Sequence, residues 1–593
     1  MSKRASTRTP KAPLEAPAPP GKGRKSQANG RTETVPRKPP AEAPHKAPAE
    51  ALRKPPGEPP DKSPGKPSRA APGKPSRAAP GKPLRAAKRR ASPKRTARGA
   101  ATQPNRVWAA IRGVPRTAWI CALVAILNAM CWSILIPPLQ GPDEQAHLAY
   151  VQQLAENGSL PNGSSEENFS PEELAAMNDL GFGEVILDPG NPSLPFRASR
   201  ARLDHDLSQP GLSRKGDGSV GVAASEPPLY YALQTVPYEL GSGSSLLGRL
   251  ELMRLLSALL SGLTVLLVFL FIREALPAVQ WAWTVGALSA ALSPLLGFVG
   301  GSLDPDALLF AVCAALFYCF ARAFRRGFEP GIACAIGAVV ATGFLTKVNF
   351  IAMIGGVVLG LILLTIRTAR VSRRQAYRSL TFASGIALSP GLLYLLLNLV
   401  THKPLLGIIS GSLTTTERHN IPAELSYIWQ FYLPHLPGMT RDFPGIFPPW
   451  HVWFKGLVAR YNWLETSFPG WVYKVALIPT AAIAALCGRE LFVKRGELRR
   501  RVGEFSVYAL MLVSLMGLLA AASFDSYPTL SLADSEPRYF LPMLALGGAL
   551  LALAARGAGK RWGPVAGAAI VMLFLGHNVL SQLLEISRYY HPV

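Results

Sequence analysis

Over most of this chain the apolar side chains do not alternate with polar ones; they run on. Eleven stretches, at about 117–137, 250–272, 279–299, 305–323, 330–346, 350–367, 379–400, 471–487, 504–523, 538–556 and 562–585, carry very little charge. Each is about as long as a helix that crosses a bilayer. The pattern predicts an all-α polytopic membrane protein of about 11 transmembrane helices. Two connections, about 138–249 and 401–470, are too long to be plain links. The first ends in Glu226-Pro227-Pro228-Leu229-Tyr230-Tyr231. There Tyr230, Leu233, Val236 and Leu240 recur at helical spacing, which predicts a short helix in the membrane interface with its tyrosines at headgroup depth.

Residues 1–105 differ in kind. They are rich in Pro, Ala, Lys, Arg and Gly with almost no large apolar side chain, so they read as a disordered tail ahead of a membrane domain, 106–593. An octad, Gly65 to Pro72, repeats from Gly73 to Pro80, too short a unit for a packed solenoid. Of the formal net charge of +26, most lies here: residues 1–116 hold 29 Lys and Arg against 6 Asp and Glu. So basic a balance suits nucleic acid or a membrane surface. Beside a membrane domain, anionic lipids of the inner leaflet are the expected partner and no specific nucleic acid is expected. The late start of the first apolar run argues against a signal peptide. The 6 cysteines lie in or beside apolar runs without metal-ligand spacing and are read as apolar fillers.

Charge also orients the chain. With the tail cytoplasmic, most of the connections on the same side are dense in Lys and Arg, as at Arg322, Arg325 and Arg326 or Arg367 to Arg378. The expectation is a multi-pass plasma-membrane protein with its N-terminus inside and its C-terminus outside. Asp143, Glu144, Asp304, Asp306, Lys347, Glu465, Asp525, Asp534, Glu536 and Arg538 then all fall on or near the outer face, and no acid sits mid-span as a proton relay through the bilayer requires.

Pro137-Pro138-Leu139-Gln140-Gly141-Pro142-Asp143-Glu144 stands where the first apolar run ends. Prolines stop a membrane helix. Asp143 then starts a new one over about Glu144–Glu156, closed at Gly158. Asp143, or Glu144 in second place, is a candidate base, and a helix cap fits Asp143 as well. Glu144 and His147 share a helical face. Asp304-Pro305-Asp306 suits a helix start and equally a site lining. Arg538, Lys347 and Arg254 are candidate anion-binding cations, or side chains that reach to lipid headgroups. Aromatic side chains such as Tyr230, Tyr231 and Trp463 suit sugar stacking or an interfacial belt.

Pro142-Asp143-Glu144-x-x-His147, Glu226-Pro-Pro-Leu-Tyr-Tyr, Asp304-Pro-Asp306-Ala-Leu, Leu345-Thr-Lys347 and Pro537-Arg538-Tyr539-Phe540-Leu-Pro542 follow in that order. Over about 117–585 the chain resembles a bacterial family of polytopic proteins related to the GT-C membrane glycosyltransferases. The resemblance implies a GT-C-like fold and transfer of a sugar from a polyprenyl-phosphate lipid to a glycan or protein acceptor outside the cytoplasm. It implies Asp143 as the acidic residue after the first span, and Arg538, Lys347 and Arg254 against the lipid phosphate. A divalent metal such as Mg or Mn, held among Asp143, Glu144, Asp304 and Asp306, is left open. Two rival readings stand beside it. A transporter or flippase of lipid-linked sugar requires internal repeats and broken helices, which the sequence does not display. A non-catalytic scaffold requires that the acids be dispensable.

Overall fold

The computed structural model describes residues 113–162, 166–186, 201–203, 205–206, 212–400, 421–439, 443, 450–462, 466–526 and 536–590. The basic segment 1–105 and Trp463 lie outside them.

The helices that matter here are α1 (Arg116–Leu135), α2 (Glu144–Asn157), α3 (Pro171–Asp179), α4 (Leu229–Leu240), α5 (Leu246–Ala275), α6 (Gln280–Ala291), α7 (Pro294–Gly300), α8 (Asp306–Arg326), α9 (Pro330–Thr346), α10 (Ile354–Ala369), α11 (Arg373–Val400), α12 (Ile421–Tyr432), α13 (Gly470–Val493), α14 (Val502–Ser526), α15 (Leu544–Gly557) and α16 (Gly559–Tyr589). Among the described residues, 9 helices are long and apolar enough to cross a membrane, counting α10 and α15 with the 3-10 turns that lead into them. The bent pair α6–α7 and the shorter apolar α9 complete the set, so each apolar stretch of the sequence falls on one of these elements. The chain is a multi-pass α-helical membrane protein. The only sheet among the described residues is one antiparallel pair, Arg460–Tyr461 with Thr466–Ser467.

One span differs from expectation. The stretch expected as a single helix breaks at Leu292–Ser293, and α6 and α7 meet at 56°. Pro294 has no N–H to give and disfavours helical backbone at the residue before it. A carbonyl freed in a membrane needs a donor. Asn128 of α1 supplies it: its Nδ2 donates to Ala291 O at 3.1 Å. Asn578 of α16 donates to Asn128 Oδ1 at 2.7 Å, and the Trp132 indole N–H donates to Asn578 Oδ1 at 3.0 Å. These bonds tie α1, α6 and α16 together.

The core is one large apolar cluster, beside a small one of Val285, Cys487, Ala554, Ala555 and Ile570. Helix α8 is its axis: 78% of its apolar window is buried, against 11% for α11 and α13, which lie at the rim. It packs on α5 and α9, and α5 packs in turn on α1. Lipid is as apolar as leucine, so helices in a bilayer associate by close packing of small residues rather than by the hydrophobic effect. Gly286 of α6 faces Gly548 of α15, and a Cβ at Gly286 would come 2.3 Å from the Gly548 carbonyl oxygen. Connections at one end of the bundle are rich in arginine, where Arg326 pairs with Glu274 and Arg501 with Glu504 at 2.8 Å. The acids and cations singled out in the sequence collect at the other end.

Gly286→Ala is expected to cost about 1–3 kcal/mol, because the new methyl overpacks a backbone contact. Gly547→Ala, where a Cβ meets nothing within 4 Å, is expected to change little. Thermal melts followed by size-exclusion chromatography in detergent compare the two.

Candidate active site

Helix α1 ends at Leu135, and Pro137, Pro138 and Pro142 keep the next residues out of helical geometry. Gly141 lies against the loop before α8, where a Cβ would stand 2.9 Å from Ser302 Cβ. This close fit seats the segment. Leu139 (φ 64°) and Asp143 (φ 56°) are then left-handed, as is one further non-glycine among the described residues, Asn462. For a residue with a side chain, that conformation costs about 1–2 kcal/mol. Asp143 does not use its carboxylate as a cap. It makes no side-chain bond to the first turn of α2. A capping side chain needs extended backbone, and the left-handed backbone turns this one away. Its Oδ2 lies instead 3.6 Å from Arg538 Nη2, with the side chain 28% exposed. Helix α2 follows as expected and closes at Gly158 in the left-handed conformation.

Glu144 and Arg254 have a different job from the one expected of them. Glu144 is fully buried. Arg254 Nε donates to its Oε1 at 2.8 Å and Arg254 Nη2 to its Oε2 at 2.5 Å. The Leu303 N–H donates to Oε1 at 2.9 Å. Arg254 also donates to the carbonyls of Ser133, Ile136 and Pro137 at 2.9–3.0 Å. These bonds use the whole donor fork of a guanidinium. None is left for a lipid phosphate, and both Glu144 oxygens are taken up by Arg254. The pair binds α5, the end of α1, the start of α2 and the loop before α8 into one unit.

Tyr230 and Tyr231 are wholly buried, so neither presents a ring to a sugar or to the headgroup layer. Tyr230 bonds Ser257 at 2.9 Å and receives a bond from Gln234 at 2.9 Å. Tyr231 stacks on Tyr150 with ring centroids 3.8 Å apart and bonds His147 Nδ1 at 3.0 Å. Helix α4 does lie with one apolar side outward, but that side is Leu233, Val236 and Leu240. The tyrosines face inward because α4 packs on α2 and α5 through them. His147 therefore looks to Tyr231 and not to Glu144. Burial pushes its imidazole down to about 4, against the opposing pull of Asp304 and Asp143. It is neutral at pH 7.

The remaining candidates converge. Asp304 Oδ1 accepts the Asp306 N–H at 2.8 Å, which starts α8, and Asp304 Oδ2 accepts from Arg538 Nη1 at 2.5 Å. Asp304 thus starts α8 with one oxygen and pairs with Arg538 through the other. Asp306 Oδ1 lies 2.8 Å from Lys347 Nζ, which is also 3.9 Å from Asp304. Lys347 stands in extended backbone before the 3-10 turn Val348–Met353, and Arg538 within the 3-10 turn Pro537–Met543. Both spans open on a tight turn, and that aims their cations across the end of the bundle. The ring of Tyr539 sits 5.7 Å from Lys347 Nζ and 5.4 Å from the Arg538 guanidinium carbon.

Two further acids complete the site. Glu226 accepts the Val348 N–H at 3.3 Å, and Glu536 pairs with Arg538 Nε. The sequence held a signal for each: Glu226 opens the Glu-Pro-Pro-Leu-Tyr-Tyr motif, and Glu536 directly precedes Pro537-Arg538. Asp143, His147, Glu226, Lys347, Asn349, Arg538 and Tyr539 line a cavity of about 200 Å³ whose apolar wall is Val222, Leu519 and Ala522.

Charge is unevenly shared here. Burial raises the Asp304 carboxyl, and Arg538, Lys347 and His147 more than offset it, so Asp304 ionises below the usual range. Burial would lower the Lys347 ammonium, and Asp306, Asp304 and Glu226 raise it above the usual lysine range. Glu226 is raised by burial despite Lys347. Burial pushes Glu536 up to about 7, with Arg538 opposing and Asp143, Asp304 and Asp306 adding. The acids do not converge on one point. Among the described residues no group of three His, Cys, Asp or Glu is placed to hold a metal ion. Lys347 lies between Asp304 and Asp306, and Arg538 between Asp304 and Asp143.

Residues 126–546 match the family described as "Predicted membrane protein (DUF2142)". The chain belongs to this family. Comparison with curated proteins gives no match. Among solved structures the chain is similar to the apo form of the Archaeoglobus fulgidus oligosaccharyltransferase, at 12% identity and a TM-score of 0.38, over 80% of this chain and 56% of that one. The chain thus spans little more than half the length of that protein.

Two outcomes test the assignments. Arg254→Ala leaves Glu144 charged and buried and is expected to cost about 3–5 kcal/mol, read as lost folded yield and a lower melting temperature. His147 gives a pH signature. Its folded pKa lies below the unfolded value, so the unfolded chain holds the extra proton between about 6.5 and 4. Acidification through that window is expected to destabilise the protein by a few kcal/mol at most, and His147→Asn is expected to flatten that slope in melts across pH.

Proposed function

We propose that this DUF2142 protein is a GT-C-like glycosyltransferase. It takes a sugar from a polyprenyl-phosphate donor and passes it to an envelope glycan or protein on the outer face of a bacterial plasma membrane. The observation that supports it best is Asp143: a strained, partly exposed carboxylate in a small cavity, 3.6 Å from a buried guanidinium. Strain at a polar residue beside a cavity is a mark of function rather than of stability. The order of motifs around it, with their resemblance to GT-C proteins, gives the reaction class.

The chemistry follows from the residues. The acceptor hydroxyl attacks C1 of the sugar, and Asp143 takes its proton. The C1–O bond to the phosphate breaks, and the lipid phosphate leaves with the bonding pair. Lys347 and Arg538 meet that charge, Arg538 through its planar fork. Attack opposite the leaving group inverts the anomeric centre. His147, neutral and tied to Tyr231, walls the cavity without adding charge. The arginine-rich connections support an inward orientation for the opposite end of the bundle.

The bent span α6–α7 favours a second reading, transport of a lipid-linked sugar, since broken helices mark transporter sites. The bonds of Asn128 to Ala291 and Asn578 close that break.

The two readings part in a strain comparison: null, wild type and Asp143→Asn. Transfer is expected to fall about 10²–10⁴-fold in Asp143→Asn with normal protein level. One glycan is then missing and one polyprenyl-phosphate sugar accumulates, as in the null. Full rescue of the null by Asp143→Asn overturns the enzyme reading.

A further inference from the structure

The candidate active site holds more negative than positive groups. Asp143, Glu226, Asp304, Asp306 and Glu536 face only two permanent cations, Lys347 and Arg538. The cation that best suits a phosphate is already crowded. Arg538 points Nη1 at Asp304 and Nη2 at Asp143, and its Nε faces Glu536. An anionic headgroup brought to this guanidinium meets three carboxylates. Two of them have further work: Asp304 starts α8 through the Asp306 N–H, and Asp143 is the proposed base. Glu536 has no such second bond among the described residues. Its one charged partner there is Arg538.

We infer that Glu536 is a built-in occupant of the phosphate subsite, and that a lipid phosphate binds by displacing its carboxylate from Arg538 Nε while Glu536 takes up one proton. This rests on the donor reading above and adds a coupling to it. Donor binding consumes a proton, and donor release returns the carboxylate to Arg538.

The groups around Glu536 support the proton step. Arg538 holds it ionised. Asp143 at the start of α2, and Asp304 and Asp306 at the start of α8, oppose that. Tyr539 lies beside Arg538, and Lys347 is paired to Asp306 and Asp304. Without Arg538 the carboxylate is left partly buried beside Asp143, Asp304 and Asp306, and such a group takes a proton. Its ordinary balance already stands at about 7. A displaced Glu536 is thus neutral, and the incoming phosphate no longer meets its charge.

The test uses the full-length protein in lipid nanodiscs and farnesyl phosphate as probe. Isothermal titration between pH 7.5 and 8.5, in two buffers of different ionisation enthalpy, gives Kd and the protons taken up. A phosphate monoester is already a dianion in this window, its second pKa being about 6. One coupled proton weakens the wild-type Kd about tenfold per pH unit, and the buffer difference reads close to one proton. Glu536→Gln is expected to bind with no pH slope and no uptake, and more tightly than wild type at pH 8.5. The wild-type proton count stands even if that variant fails to fold. Binding without uptake in wild type overturns the coupling and leaves the donor reading intact. So does a Glu536→Gln protein with the wild-type slope. Absence of any binding at these pH values overturns both.

Discussion

The buried ion pair of Glu144 and Arg254 is what the rest of this end of the molecule depends on. Neither group tolerates solitude in a membrane protein's interior, and each is satisfied only if α1, α2, α5 and the loop before α8 meet at one place. The pair fixes the residue after the prolines in space. Asp143 is held left-handed between that anchor and Arg538, and the conformational cost of about 1–2 kcal/mol is carried by the packing around it. Adjacent carboxylates thus part ways: Glu144 is bound into the architecture, and Asp143 lines the cavity beside Arg538.

The same economy appears at Lys347 and Arg538. Both precede or open membrane spans through 3-10 turns rather than through regular helix. A 3-10 turn gives the chain a tighter radius, so the cations turn inward across the bundle instead of reaching up to lipid headgroups. Their carboxylate partners lie at the start of α8, the most buried span. The site therefore rests on the most buried span of the fold, while the rim helices α11 and α13 supply none of its residues. Acids outnumber the two cations here, so each cation is shared between carboxylates.

Much of this was legible from residue order. Apolar runs gave the spans, because a bilayer demands long uncharged helices whatever their neighbours. The prolines, Gly158 and the Asp304-Pro305-Asp306 start are local devices, and they act locally. The motifs placed Asp143, Lys347, Asp304 and Arg538 together at one end because short connections between antiparallel spans leave few alternatives. What failed did so for want of distance information. Glu144 and Arg254 lie 110 positions apart in sequence, and nothing local says that each consumes the other. Tyr230 and Tyr231 sit on an amphipathic helix whose inward side cannot be told from periodicity alone when both sides are apolar. Glu226 and Glu536 stood in plain view, yet a carboxylate shows its role only when its cation is known.

The sequence by itself determined that the chain is a many-span helical membrane protein with its acids and two cations at one end, since hydropathy and helix-stopping residues are properties of short stretches. Only the tertiary structure decided which carboxylate is buried as architecture and which faces a cavity. That choice depends on which arginine reaches which acid, and reach is set by how distant spans pack.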